Sequence, residues 1–287
     1  MSARVRKAVI PAAGLGTRCL PLTKAVPKEL LPVWDRPGIE RVADEAADSG
    51  CDTLVLITGR GKTAIEDHFD HHPFLESKLQ GQAGLIQSVR NPERLQVVSV
   101  RQAEARGLGH AVGCARTAVG DEPFAVMLPD DLIWGGGRPA LRTLIDVYEA
   151  TGKGVVLLME VPPDETSRYG IVRTETRSDG TLAILDMVEK PPPGQAPSNL
   201  AIIGRYVFPP SLFPLLEATP PGALGEIQLT DAMRVLAREE GLLGVLLDGV
   251  RMDTGSPLGL FRASLYYASD DPAAAATIRE FARTLGP

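Results

Sequence analysis

Residues 7–32, KAVIPAAGLGTRCLPLTKAVPKELLP, concentrate the residue types that hold a phosphate. A short apolar run, Ala8 to Ile10, empties into a turn carrying Gly14 and Gly16, followed by Thr17-Arg18 and, between prolines, Lys28. Glycines that take positive φ and lack a Cβ let successive N–H groups point into one hollow, where they meet phosphate or base oxygens. Arg18 adds a planar guanidinium suited to two oxygens and Lys28 adds a point charge, so the loop reads as an anion site for a nucleotide.

Spacing excludes two commoner phosphate motifs. In the dinucleotide fingerprint G-x-G-x-x-G, Gly14-Leu15-Gly16 needs a third glycine where Cys19 stands, and Pro21 and Pro27 interrupt the helix that should follow. Gly61-Lys62-Thr63 resembles the end of a P-loop, but the first glycine of that motif falls on Leu56. Residues 59–63 therefore read as a strand-to-helix turn.

Asp130, in Leu128-Pro129-Asp130-Asp131, and Asp253, in Val250-Arg251-Met252-Asp253-Thr254-Gly255, each end an apolar approach. Hard oxygen donors of this kind suit Mg²⁺ bridging protein and phosphate, and two such acids can clamp one ion. Either acid alone equally suits a helix cap or a turn. Glu189-Lys190-Pro191 offers an acceptor for sugar hydroxyls beside a cation for a phosphate, or else a plain surface ion pair. The amide of Gln102 both donates and accepts, which suits a pyrimidine edge. His68 with His71 or His72 has the spacing of helical metal ligands but no motif that completes a site, and His110 reads as a supporting group after Gly107-Leu108-Gly109. Neither a G-x-S-x-G elbow nor a Cys–His pairing supports nucleophilic hydrolysis.

These residues need a scaffold that brings distant segments to one edge. Apolar, β-branched runs at Ala8–Ile10, Leu54–Ile57, Val97–Val100, Phe124–Leu128 and Gly154–Val161 alternate with helical stretches such as Ile39–Ala47, Lys62–Phe69 and Leu108–Ala115. That alternation predicts an α/β fold with a mostly parallel, Rossmann-like central sheet flanked by helices, and ligands outside the carboxyl ends of its strands. The glycine loop, Gln102 and Asp130 all follow strands at that edge. Further on, Tyr169–Thr174, Leu182–Val188 and Ala201–Phe208 predict a smaller β-rich, hairpin-bearing lobe laid over the sheet to hold a second substrate. From Ser211 helices dominate, ending in an Ala-rich amphipathic tail suited to packing or pairing subunits.

The 287 residues suffice for one large α/β domain or two small ones, and 44% hydrophobic with 23% charged residues is ordinary for a globular protein. A net charge of −6 without a basic stripe argues against a nucleic-acid surface. The apolar run near the start is too short for a signal peptide, and no stretch is long enough for a membrane span. Cys19, Cys51 and Cys114 lack C-x-x-C spacing, so a reducing cytoplasm is the expected location.

Taken in order, these segments resemble the sugar nucleotidyltransferases, most closely the bacterial UTP–glucose-1-phosphate uridylyltransferases. The resemblance runs nearly end to end through KAVIPAAGLGTR, VPKELLP, ITGRGKTAIEDHFD, RQ with GLGHAV, VGDEPFAVMLPDDLI, EVPPDETSRYGIV, VEKP, PSNLAIIGRYVF, PPGALGEIQLTDA and DTG. It implies a nucleotidyltransferase domain over residues 4–268, with a nucleotide-binding half at about 4–135 and a sugar-binding half at about 136–268, then a helical tail at 269–287. It implies that Ala12, Ala13, Gly14, Gly16, Thr17, Arg18 and Lys28 form the nucleotide loop, with Gln102 and Gly107 reading uracil. Asp130 and Asp253 correspond to Mg²⁺ ligands, and Gly170, Glu189, Lys190, Asn199 and Gly204 to the sugar phosphate pocket. Arg18, Lys28 and Lys190 are the implied catalytic cations. The implied reaction joins UTP and glucose 1-phosphate into UDP-glucose and pyrophosphate, in a cytoplasmic homo-oligomer, dimer or tetramer, with no nucleic-acid or membrane partner. The same chemistry with dTTP or another hexose 1-phosphate, and a non-catalytic sugar-nucleotide-binding regulator, are the alternatives. The chain departs from the family pattern at Gly38-Ile39-Glu40-Arg41, at Ala103 and at Ser256-Pro257.

Overall fold

The computed structural model describes residues 4–90, 94–222 and 225–285; residues 1–3 at the start, 91–93, 223–224 within PPGALGEIQLTDA and 286–287 of the tail lie outside it. Its first part runs β1 (Lys7–Pro11), β2 (Pro32–Val33), β3 (Arg36–Pro37), α1 (Gly38–Asp48), β4 (Thr53–Thr58), α2 (Thr63–Phe69), α3 (Pro73–Lys78), α4 (Ala83–Val89), β5 (Gln96–Arg101), α5 (Leu108–Cys114), α6 (Arg116–Val119) and β6 (Phe124–Met127). There follow β7 (Asp131–Trp134), α7 (Ala140–Thr151), β8 (Gly154–Glu160), β9 (Gly170–Thr176), β10 (Leu182–Glu189) and β11 (Leu200–Phe208). The chain ends with α8 (Leu212–Ala218), α9 (Leu229–Glu239), β12 (Leu242–Leu246), β13 (Val250–Asp253), α10 (Pro257–Ala268) and α11 (Pro272–Thr284).

A nine-stranded sheet in the order β5-β4-β1-β6-β11-β8-β12-β10-β9 forms the centre. Its inner strands, such as β4, β6 and β11, are buried on both faces because helices cover both. On β1, Ala8 and Ile10 join one core with Leu54, Leu56 and the α1 side chains, while Val9 joins the opposite core with Val55, Ile57 and the α5, α8 and α9 side chains. Helix α1 shows the complementary pattern, burying Ile39, Val42, Ala43 and Ala46 on a single stripe.

Two expectations change. The sheet is mixed rather than mostly parallel: β5, β4, β1 and β6 run parallel, but β11 enters antiparallel between β6 and β8, and β10 pairs antiparallel with both β12 and β9. The hairpin strands do not lie over the sheet but extend it, since β10 and β9 form its far edge and β9 also touches β11 at Ile171–Ala201. Local pattern marks a strand as buried, whereas direction and neighbours are set by tertiary pairing. Two strands, β12 and β13, stand within the region where helices were expected to dominate, and do dominate.

Two of the departures from the family pattern have local partners. Ser256 caps α10, its hydroxyl accepting from the Gly259 N–H at 3.3 Å, with Pro257 in the first turn where its missing N–H costs nothing. Arg41 donates to the Val33 carbonyl at 2.8 Å and to Asp35 at 2.6 Å while its guanidinium lies 3.9 Å from the Tyr267 ring centroid, tying the small β2–β3 ladder to α10.

Candidate active site

Two adjoining hollows open at the carboxyl ends of the parallel strands. The smaller, about 440 Å³, is walled by the loop after β1, including Gly14, Gly16, Thr17 and Lys28, and by Gln102 and Gly107. The larger, about 610 Å³, is walled by Arg18, Gly170, Glu189, Lys190 and Gly204, among others. Asp130 lines both.

The loop conformation comes from its small residues. Gly16 sits in the left-handed region at φ 67°, while Gly14 keeps an ordinary φ, so only one of the two glycines uses the freedom expected of both. Ala13 reaches the smaller hollow, but Ala12 is fully buried and its N–H is spent on the Ile57 carbonyl at 2.8 Å. Across the hollow, Gly107 adopts φ 95°, and a Cβ there would stand 2.8 Å from the Ile227 carbonyl oxygen. The amide nitrogen of Gln102 contacts the Gly107 carbonyl at 3.2 Å and His110 Nδ1 at 2.9 Å, which makes His110 the supporting group that its place after the glycine turn suggested.

Asp130 and Asp253 are 123 residues apart in the chain and meet through a ladder that periodicity does not reveal. Strands β7 and β13 pair antiparallel outside the main sheet with Asp131 opposite Asp253, and the Thr254 N–H and hydroxyl both donate to the Asp130 carbonyl, at 2.8 and 3.1 Å. Lys28 Nζ donates to Asp130 Oδ2 at 2.6 Å; Arg18 donates to Asp253 Oδ2 at 3.1 Å and stands 3.9 Å from Asp130. Burial pushes the Asp130 carboxyl up, but the Lys28 charge and hydrogen bond, helped by Arg18, outweigh it and hold the group below its ordinary range. Lys28 is driven up by the same pairing, against the opposing effect of burial. Among the described residues no cluster of three or more His, Cys, Asp or Glu forms an all-protein metal cage. Two carboxylates beside the Lys28 and Arg18 cations would suit an ion such as Mg²⁺ that keeps waters and takes oxygens from a ligand.

The adjacent acid, Asp131, has a different duty. Its Oδ2 accepts from the Gly204 N–H at 2.9 Å and its Oδ1 from Arg251, whose guanidinium also donates to the Tyr169 hydroxyl at 3.1 Å. Burial, with Asp130 alongside, pushes its carboxyl up against the pull of Arg251. Gly204 can meet this carboxylate because the β11–β8 register shifts between Ile203 and Tyr206, and a Cβ there would lie 2.7 Å from Asp131 Oδ2.

In the larger hollow Glu189 ends β10 directly opposite Gly170 on β9. Lys190 follows at φ 46°, with Nζ 3.7 Å from Glu189 Oε1. Asn199 is not brought to this hollow; it stands exposed before β11, its carbonyl accepting from Val161 N–H at 3.0 Å. Sequence reasoning missed Thr230, whose hydroxyl donates to Glu189 Oε2 at 2.7 Å; LTDA contains it, but a threonine at a helix start reads as a cap. It also missed Arg251 and the Lys62–Glu29 pair, 2.7 Å long with side chains 7% and 1% exposed. That pair explains the P-loop lookalike: its lysine points into the interior beside the Lys28 turn, not toward a phosphate.

A nucleotidyl transferase family model matches residues 7–270. A Bacillus subtilis (strain 168) protein named UTP–glucose-1-phosphate uridylyltransferase is 47% identical over 93% of this chain and 92% of its own length. A Staphylococcus epidermidis protein of the same name is 42% identical over 98% of this chain and 99% of its own. Among solved structures, a UDP-glucose pyrophosphorylase complexed with UDP-glucose superposes with TM-score 0.83 at 39% identity, covering 93% of this chain and 99% of that one. A UTP-bound enzyme of the same kind from Acinetobacter baumannii superposes with TM-score 0.88 at 38% identity, covering 96% and 98%.

Proposed function

The chain belongs to the nucleotidyl transferase family, and from that membership we propose that it transfers the uridylyl group of UTP to glucose 1-phosphate, giving UDP-glucose and pyrophosphate. The observation that carries the reading is Asp130, held by Lys28 and Arg18 at the junction of the two hollows. The smaller hollow takes the nucleotide, with residues 4–135 supplying that half, and the larger takes the sugar phosphate, with 136–268 supplying the other.

In this reading a phosphate oxygen of glucose 1-phosphate attacks the α-phosphorus of UTP in line; one P–O bond forms as the bond to the β-phosphate breaks, and pyrophosphate leaves. The nucleophile is already an anion, so no general base is required, and the barrier lies in holding two repelling anions together and neutralising charge. Arg18, Lys28 and Lys190 supply fixed positive charge at the hollows. Asp130 and Asp253 would hold Mg²⁺, which when bound would contribute further charge neutralisation at phosphate oxygens. Glu189 accepts from sugar hydroxyls, and Gln102 with Gly107 lines the base end.

The same reading includes a homo-oligomer, dimer or tetramer, supported by Leu258, Phe261 and Phe281 standing 78%, 58% and 59% exposed on the last two helices. It also includes a cytoplasmic location, supported by three free cysteines. No helix among the described residues is long and apolar enough to cross a membrane.

The test is pyrophosphate release with UTP, Mg²⁺ and glucose 1-phosphate, run beside dTTP and galactose 1-phosphate. Release strongest for UTP with glucose is the expected result. Equal release with dTTP removes the uridine assignment, and silence with every pair, in folded protein that binds UDP-glucose, leaves a sugar-nucleotide-binding regulator.

A further inference from the structure

Glu189 presents its two oxygens to different surroundings. Oε2 accepts from the Thr230 hydroxyl at 2.7 Å, and the opposing strand closes on the same atom: a Cβ at Gly170 would lie 3.0 Å from Oε2 and 3.6 Å from Thr230 Oγ1. Oε1 pairs, among the described residues, with the ammonium of Lys190, 3.7 Å away on a side chain that is largely exposed. Thr230 itself is 8% exposed and lines the larger hollow from the first turn of α9.

A carboxylate on an unrestrained side chain turns about its last torsion with little preference. Tying one oxygen removes that freedom and gives the other a fixed direction. Hexose epimers differ only in where one hydroxyl points, so an acceptor of fixed direction separates them and a turning one does not. Gly170 leaves room for the arrangement, and the Thr230 hydroxyl supplies the tie.

We propose that Thr230 is a positioning residue which, by holding Glu189 Oε2, aims Oε1 at the sugar and thereby sets discrimination among hexose 1-phosphates. The proposal rests on the reading of the larger hollow as the sugar phosphate site. Thr230 is not required for the chemical step and acts through Glu189 alone.

The experiment compares the wild type with Thr230→Val, which keeps the side-chain shape and removes the hydroxyl, and Thr230→Ser, which keeps the hydroxyl. Glucose 1-phosphate and galactose 1-phosphate are varied at saturating UTP, then UTP is varied. The expected result for the valine variant is a KM for glucose 1-phosphate raised roughly tenfold, the scale of one hydrogen bond to a charged group, and a glucose-to-galactose ratio of kcat/KM that falls by a similar factor. Its kcat and its KM for UTP stay within about twofold of wild type, and the serine variant restores the preference. An unchanged sugar preference in folded Thr230→Val overturns the proposal. So does a serine variant that behaves like the valine one, because the methyl group then matters and the hydroxyl does not. A KM for UTP that rises as much as that for the sugar phosphate also overturns it, since the whole site is then disturbed. Calorimetric binding of UDP-glucose against UDP-galactose reads the same ratio without turnover. A wild type silent in turnover therefore overturns the reaction, while the binding ratio in Thr230→Val still decides the role of Thr230.

Discussion

Lys28 Nζ and Asp130 Oδ2 lie 2.6 Å apart, so the lysine of the nucleotide loop and the acid at the junction of the hollows neutralise one another across 102 residues of chain. Each has a rival partner in the proposed reaction: a triphosphate competes for the lysine and a divalent cation for the acid. In that proposed reaction, nucleotide that draws Lys28 away would expose Asp130 to the metal.

Metal alone should therefore bind weakly. Mn²⁺, titrated into the protein and followed by electron paramagnetic resonance, is expected to bind about tenfold more tightly with UTP present, and Lys28→Met is expected to recover much of that gain without nucleotide. Equal affinity in all three states removes the competition.

Asp130→Asn keeps the shape of the side chain and removes its charge. Turnover should fall at least a hundredfold, on the order of the loss of one transition-state charge contact, while the protein still melts cooperatively. Pyrophosphate release beside a circular dichroism melt checks both, and undiminished turnover contradicts the metal assignment.

The pair has a pH window. Asp130 is held below its ordinary 3.8, so its contribution to stability is present above that value and is lost as pH falls through the depressed folded value. Lys28 is raised above 10.5, so its contribution is complete below 10.5 and is lost as pH rises through the folded value. Carbon NMR of labelled aspartate should show the Asp130 carboxyl titrating below 3.8 in the wild type and at a higher pH in Lys28→Met, where burial acts without its largest opposing charge.

Lys62→Met leaves Glu29 as a buried carboxylate without its hydrogen-bonded cation. Removing one partner of such a pair costs about 3–5 kcal/mol. For a domain of this size each kcal/mol lowers Tm by about 2–4 °C, so a fall of roughly 6–20 °C is expected. Replacing both residues, Lys62→Met with Glu29→Leu, should restore most of it because no unpaired charge remains. A calorimetric scan of the three proteins settles the point.

Gly204→Ala places a methyl group 2.7 Å from Asp131 Oδ2 and 2.8 Å from Leu128 Cβ. Overpacking of this kind costs about 1–3 kcal/mol, which urea unfolding will measure. Because the crowded atoms line the larger hollow, KM for the sugar phosphate should rise more than KM for UTP.

That the glycine loop, Asp130, Asp253 and Glu189 converge at the two hollows was legible in the sequence because each stands where an apolar strand stops. The ladder that joins the two acids was not, because β7 and β13 are four residues each and their pairing spans more than a hundred residues. Asn199 and Ala12 share motifs with neighbours that reach the hollows, but backbone hydrogen bonds, from Val161 to the Asn199 carbonyl and from Ala12 to the Ile57 carbonyl, hold them elsewhere. The mixed sheet was equally hidden, since β11 reads as a buried strand whichever way it runs.

The hollows draw on separate stretches of chain. Every residue walling the smaller one lies at or before Asp130 except Glu226, and every residue walling the larger lies at or after Leu128 except Arg18 and Leu108. A single genetic crossover near Pro129 between two relatives thus transplants nearly one whole recognition surface while leaving the other parent's intact. Donor and acceptor preference can in that way diverge on independent evolutionary schedules, with the acid at the seam inherited from either side.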